Sequence, residues 1–152
     1  MINEKLVKKL IEKHLTISFV ESFSGGLAAK KIVDIPGSSQ TFLGSIVSYS
    51  TFIKETVLHI DKSLIEKYSV ASKEVALEMV KKGKEIFNSD IVISFTGEAG
   101  PISNTNVPPG TVFIGIIIFN EVYVYEKHYN LDRNELRDAA TDYAFEKILE
   151  KI

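Results

Sequence analysis

Apolar residues first recur at helical spacing. Leu6, Val7, Leu10 and Ile11 form one stripe among lysines and glutamates, which predicts an amphipathic helix packed by one face. The period then shortens. Residues 17–20 make a β-like run, residues 26–33 return to helical composition, and Pro36-Gly37-Ser38-Ser39 marks a turn. Residues 42–49 are β-branched and aromatic enough for a second strand, and residues 51–58 read as a helix. After a loop, Ser72 stands as the N-cap of a long helix whose apolar face is Val75, Ala76, Met79 and Val80. Residues 90–95, "DIVISF", predict a short buried strand, and residues 111–119 and 122–129 a hairpin across Asn120-Glu121. Asp132 with Glu135 gives the capping signature of a last helix that runs close to Ile152. Helices that alternate with strands early, followed by a late hairpin, predict an α/β fold: a three-layer α/β/α arrangement with a mixed sheet, in one domain over residues 1–152.

Composition narrows the function classes. At 152 residues, 45% hydrophobic and 25% charged, the chain can bury one sizeable core. A net charge of -2 gives no general attraction to nucleic acid or to an anionic membrane, so neither is expected as a partner. The chain has no cysteine, which excludes disulfides, thiol nucleophiles and thiolate metal sites and fits a reducing, cytoplasmic location. Its first residues read as a charged amphipathic helix rather than a signal sequence, and no apolar run is long enough to cross a bilayer. His14, His59 and His128 are scattered without metal-ligand spacing, and neither dinucleotide nor nucleotide glycine loops occur. No metal and no cofactor are therefore expected.

The predicted strands end in unusual letters. Residues 17–20 run straight into Glu21-Ser22 and then Ser24-Gly25-Gly26; the second strand ends at Tyr49-Ser50 with Lys54 soon after; the third ends at Thr96-Gly97-Glu98. In open α/β sheets ligands gather at the carboxyl ends of parallel strands, so three such exits can converge on one crevice. Gly25-Gly26 before a helix permits close approach and offers backbone N–H groups to an anion or a developing oxyanion. A serine hydroxyl attacks poorly until a neighbour takes its proton, and a lysine neutralised by burial can do so. The plainer readings are a flexible Ser-Gly-Gly turn, a solvated lysine and a tyrosine at the edge of the core. Arg133 and Arg137, the only arginines, lie one helical turn apart at the start of the last helix, against its macrodipole. Their guanidinium forks suit phosphate or carboxylate, either in a ligand or by internal pairing with Glu21, Glu98 or Glu135.

These residues carry a family resemblance. "ESFSGGLAAKKIVDIPGSSQTFLGSIVSYSTFIK", "SFTGEAGP" with "PPGTVFIGI", and "RNELRDAATDYA" resemble, in order and over nearly the whole chain, the blocks of the CinA C-terminal domain family of nicotinamide mononucleotide (NMN) deamidases, here in stand-alone form. The resemblance implies a metal-independent amidohydrolase that converts NMN and water to nicotinate mononucleotide and ammonia. It implies Ser22 as nucleophile, Lys54 as its base and Tyr49 as an assistant in proton transfer. Glu21, Ser24, Gly25, Gly26, Ser50, Thr96, Gly97, Arg133 and Arg137 would line the substrate pocket. It leaves open whether the chain forms a homo-oligomer. Phe23-Ser24, Thr51 and Glu98 depart from the family pattern, and the loop 102–109 is shorter. An added carboxylate at Glu98 would hold Lys54 charged and repel a phosphate unless it pairs with an arginine. A non-catalytic nucleotide-binding or interaction module on the same fold, or an amidase for a different substrate, is the alternative.

Overall fold

In a computed structural model that describes all 152 residues, five strands form one sheet: β1 (Ile17–Glu21), β2 (Phe42–Val47), β3 (Ile91–Gly97), β4 (Thr111–Ile118) and β5 (Glu121–His128). Their order is β2-β1-β3-β4-β5; β2, β1 and β3 run parallel, and β4 and β5 return antiparallel. The most continuously apolar runs, β1, β3 and β4, take the three inner places, as strands covered on both faces must. Helices α1 (Ile2–Glu12), α2 (Leu27–Val33) and α6 (Arg133–Lys151) cover one face and bury the core around Phe19, Phe95 and Phe145. Helix α5 (Lys73–Phe87) covers the other, where Val20, Val92 and Met79 meet, with α4 (Lys62–Tyr68) packed against α5; the short α3 (Thr51–Thr56) follows β2. The result is the expected three-layer mixed sheet.

A polar clasp aligns the parallel strands. At the amino ends of β1 and β3, the Thr16 N–H donates to Asp90 Oδ2 at 2.8 Å while the Asp90 N–H donates to Thr16 Oγ1 at 3.0 Å. That clasp sets a register in which Glu21 lies opposite both Val47 and Phe95. The next residues of the three strands, Ser22, Ser48 and Thr96, therefore emerge level at one edge. Gly83 on α5 is what lets that helix lie close to the sheet: a Cβ there would sit 2.6 Å from Val20 Cγ2.

Several elements differ from the sequence expectation. Helix α4 occupies part of the stretch expected to be a loop; with seven residues and one buried side chain, Ile65, it shows no sustained helical period. The hairpin turns at Phe119-Asn120, one residue earlier than expected, because Glu121 pairs directly with Ile118. Its tip puts exposed Phe119 at φ +54, a conformation no sequence rule assigns to phenylalanine. The second strand stops at Val47, and the helix after it at Thr56. Both expected caps are in place: Ser72 accepts from Val75 N–H at 3.2 Å and Asp132 from Glu135 N–H at 2.9 Å; Asn120 lies in the hairpin turn.

Candidate active site

Lys54 is the only lysine whose side chain is drawn fully inside. It sits in the first turns of α3, 1% exposed, and its Nζ lies 2.7 Å from Ser22 Oγ, 2.6 Å from the Ser48 carbonyl oxygen and 3.1 Å from the Tyr49 carbonyl oxygen. The local sequence explains the placement. Ser50 Oγ accepts the Ile53 N–H at 3.1 Å and starts the helix directly after the strand, so the amine is turned back over the end of β1. Burial lowers the Lys54 pKa from 10.5 to about 8. No carboxylate lies within ion-pair distance of it: Glu98 shares the cavity but does not pair with the amine, whose lowered pKa comes from burial.

The three acceptors around Nζ are arranged for a base as well as for an ammonium. When the amine is neutral, its two hydrogens can serve the two carbonyls, which leaves the lone pair facing the Ser22 hydroxyl. Ser22, 8% exposed, is fixed by its own backbone: its N–H donates to the Phe95 carbonyl oxygen at 2.9 Å, and its carbonyl accepts from Gly25 N–H at 3.1 Å. The N–H groups of Phe23 and Ser24 in the same turn are not taken by any backbone carbonyl.

Ser22 and Lys54 open into a cavity of about 340 Å³, within the range of small-ligand sites. Tyr49, Gly97, Glu98 and Arg133 line it too. Tyr49 is 57% exposed at the rim, and its hydroxyl meets Arg133 Nη2 at 3.4 Å; what it gives Lys54 is its carbonyl, not its phenol. Arg133 also donates through Nη1 to the Gly100 carbonyl oxygen. Gly97 sits where a Cβ would meet the Thr111 carbonyl oxygen at 2.6 Å, so the close strand approach at this wall needs glycine.

Other residues expected in the pocket lie elsewhere. Ser24, Gly25, Gly26 and Arg137 border a separate, wider hollow of about 620 Å³ between α2 and α6, which shares no wall residue with the Ser22–Lys54 cavity. Gly26, at φ +100, is the residue that turns the chain into α2. Glu21 is fully buried beneath that turn. Its Oε1 accepts from Ser24 Oγ at 2.9 Å and Ala28 N–H at 2.9 Å, and its Oε2 from Ser45 Oγ at 2.7 Å and Ala29 N–H at 3.2 Å. Thr96 is buried, with Oγ1 donating to the Val70 carbonyl oxygen at 2.7 Å, and Ser50 is spent as the cap of α3. Neither arginine pairs with Glu21, Glu98 or Glu135; both hold backbone carbonyls instead, Arg137 that of Phe23 at 2.8 Å. The Ser48 carbonyl escaped sequence reasoning, since a backbone acceptor leaves no mark in the letters.

The chain is similar to known proteins along its whole length. The family model of the CinA C-terminal domain matches residues 1–152. A CinA-like protein of Fusobacterium nucleatum is 45% identical over 139 residues, covering 91% of this chain and 34% of its own length. A CinA-like protein of Petrotoga mobilis is 38% identical over 144 residues, covering 94% and 36%. The chain thus spans about a third of the length of the curated relatives it matches. Among solved structures, a CinA superfamily protein of Escherichia coli superposes with a TM-score of 0.94 at 25% identity, over 99% of this chain and 88% of that one. The chain belongs to the CinA C-terminal domain family.

Proposed function

We propose that the protein is an amidohydrolase that converts NMN and water to nicotinate mononucleotide and ammonia through a serine–lysine pair. The observation that carries this reading is the 2.7 Å contact between Ser22 Oγ and a buried Lys54 amine whose pKa is lowered to about 8. A general base must lie within hydrogen-bond reach of the proton it takes and titrate near the working pH, and Lys54 meets both conditions.

In the first half-reaction neutral Lys54 takes the Ser22 proton as Oγ attacks the carboxamide carbon. The carbonyl π electrons move onto oxygen, where the Phe23 and Ser24 N–H groups are the nearest unclaimed backbone donors. Lys54 then returns its proton to the departing nitrogen, which leaves as ammonia, and an ester to Ser22 remains. In the second half, Lys54 takes a proton from water, hydroxide adds to the ester, and the proton goes back to Ser22 Oγ as nicotinate mononucleotide is released. Tyr49 and Arg133 stand at the rim, where a hydroxyl and a guanidinium suit the ribose phosphate.

The test is ammonia release from NMN by the purified chain and by Ser22→Ala. The reading expects release by the first and loss of at least two orders of magnitude by the second. An active Ser22→Ala variant removes the assignment of the nucleophile, and ammonia from other carboxamides but not from NMN changes the substrate.

A further inference from the structure

Glu98 is the one carboxylate in the Ser22–Lys54 cavity. Its backbone is fixed on both sides: its N–H donates to the Thr111 carbonyl oxygen at 2.9 Å, and its carbonyl accepts from Gly110 N–H at 2.7 Å. Its side chain is tied to the following loop, where Oε2 accepts the Asn104 N–H at 3.1 Å. Oε1 has no protein partner. Arg133 shares the cavity and spends two of its five donors on the Gly100 carbonyl and the Tyr49 hydroxyl, and no ion pair forms between it and Glu98. Glu98 is half-buried, so Oε1 keeps contact with solvent and is free to meet a cationic part of a ligand that enters the cavity.

We propose that Glu98 determines specificity for a substrate whose reacting amide is borne on a positively charged ring. This rests on the proposed deamidase reading and deepens it. In NMN the ring nitrogen is bonded to ribose and carries a formal positive charge, delocalised around the ring that bears the carboxamide two bonds away, on its third carbon. A sphere of the cavity's volume is ~9 Å across, no more than about one Debye length, so a carboxylate in its wall acts on a ring seated at Ser22 with little screening. The cavity then separates its charges by ligand part. Arg133 faces the phosphate end, Lys54 the amide and Glu98 the ring.

The same arrangement treats product differently from substrate. Hydrolysis replaces the neutral carboxamide with a carboxylate, so the ring portion loses its net positive charge while Glu98 stays negative. Glu98 therefore favours binding of the amide and departure of the acid.

The experiment measures binding by titration calorimetry in a Ser22→Ala background, which stops turnover, with and without Glu98→Gln. Glutamine can still accept the Asn104 N–H and keeps the loop in place. The probes are NMN, its reduced form with a neutral dihydropyridine ring, and nicotinate mononucleotide. With Glu98 present, NMN binds about tenfold tighter than the reduced form. Glu98→Gln removes most of that preference, weakens NMN about tenfold and tightens nicotinate mononucleotide severalfold. A Glu98→Gln variant that changes the oxidised and reduced nucleotides by the same factor, or changes neither, overturns the proposal. Absence of ammonia release by the unaltered chain instead overturns the deamidase reading, and the binding preference still decides the role of Glu98. Failure of all three probes to bind overturns both.

Discussion

Arg137 Nε donates to the Phe23 carbonyl oxygen at 2.8 Å and so ties α6 to the turn that carries Ser22, across 114 residues of chain. Arg133, one helical turn earlier, reaches the Ser22–Lys54 cavity itself. Two residues alike in sequence thus have different tasks. Arg137→Ala removes a charge-assisted hydrogen bond worth about 2 kcal/mol and loosens the nucleophile turn. It should lower Tm by roughly 5 °C and reduce kcat about tenfold while KM stays within twofold. A KM change larger than the kcat change would place Arg137 on the substrate.

Arg133→Ala should do the opposite. The guanidinium is at the cavity rim with no carboxylate paired to it, so its loss falls on ligand binding. KM for NMN should rise roughly 10- to 100-fold, as expected for one charge-assisted contact to a phosphate, with a much smaller effect on the unphosphorylated riboside. Steady-state kinetics with the two substrates separates these outcomes. Equal losses on both would take Arg133 off the phosphate.

The lowered pKa of Lys54 sets a rate profile. Only the neutral amine accepts the Ser22 proton, and its pKa near 8 leaves about one-tenth of the molecules competent at pH 7. The logarithm of kcat/KM should therefore rise with unit slope up to about pH 8 and then level off. Lys54→Met should cost two to four orders of magnitude and abolish the slope. A profile flat from pH 6 to 9 would mean that Lys54 is not the base.

Stability should follow the same group with a definite sign. The folded pKa is about 8 against 10.5 for an ordinary lysine, so between those values the unfolded chain binds more protons than the folded one. Folding stability contributed by Lys54 then rises with pH from about 8 to 10.5, and the full penalty, on the order of 3 kcal/mol, stands below pH 8. Lys54→Met loses its hydrogen bonds to Ser48 and Tyr49 at every pH but carries no such titration. Denaturant melts at pH 7 and pH 10 should show the unaltered chain gaining on Lys54→Met as the pH rises. Parallel behaviour would show that the amine is not desolvated.

The layers, the caps and the strand-end crevice are readable from the letters because each depends on local periodicity or on short-range chemistry. The Ser72 and Asp132 caps need only three residues to declare themselves. What the letters hide is partnership over distance. Ser24-Gly25-Gly26 reads as one pocket with Ser22, yet the turn folds so that Ser22 faces α3 and the glycines face α6. Thr96 and Tyr49 look equivalent as strand-end hydroxyls; one is buried on the Val70 carbonyl, the other stands in solvent at the rim. The neutralising environment of Lys54 is made mainly of backbone carbonyls and burial, neither of which any residue type reports.

Glu21 shows the consequence most sharply. Placed at the end of β1 beside the nucleophile, it invites a catalytic or substrate-binding role, but all four of its donors come from within the fold: the Ala28 and Ala29 N–H groups that open α2, and the hydroxyls of Ser24 and Ser45. A buried carboxylate with four donors at a helix start satisfies N–H groups that otherwise have no acceptor, and it joins β1, β2 and α2 at the foot of the Ser22 turn. Glu21→Ala leaves two buried backbone donors unmet at about 1–3 kcal/mol each, so a loss of roughly 4 kcal/mol and a Tm drop of about 10 °C are expected. Glu21→Gln should recover part of that loss, because an amide oxygen can serve one pair of donors while its NH₂ group opposes the other. If Glu21 acts only through this scaffold, the residual kcat/KM of Glu21→Gln measured well below its melting temperature keeps the apparent pKa near 8 set by Lys54. A displaced pH profile in a variant that is still folded would mean that the carboxylate communicates with the reacting groups directly.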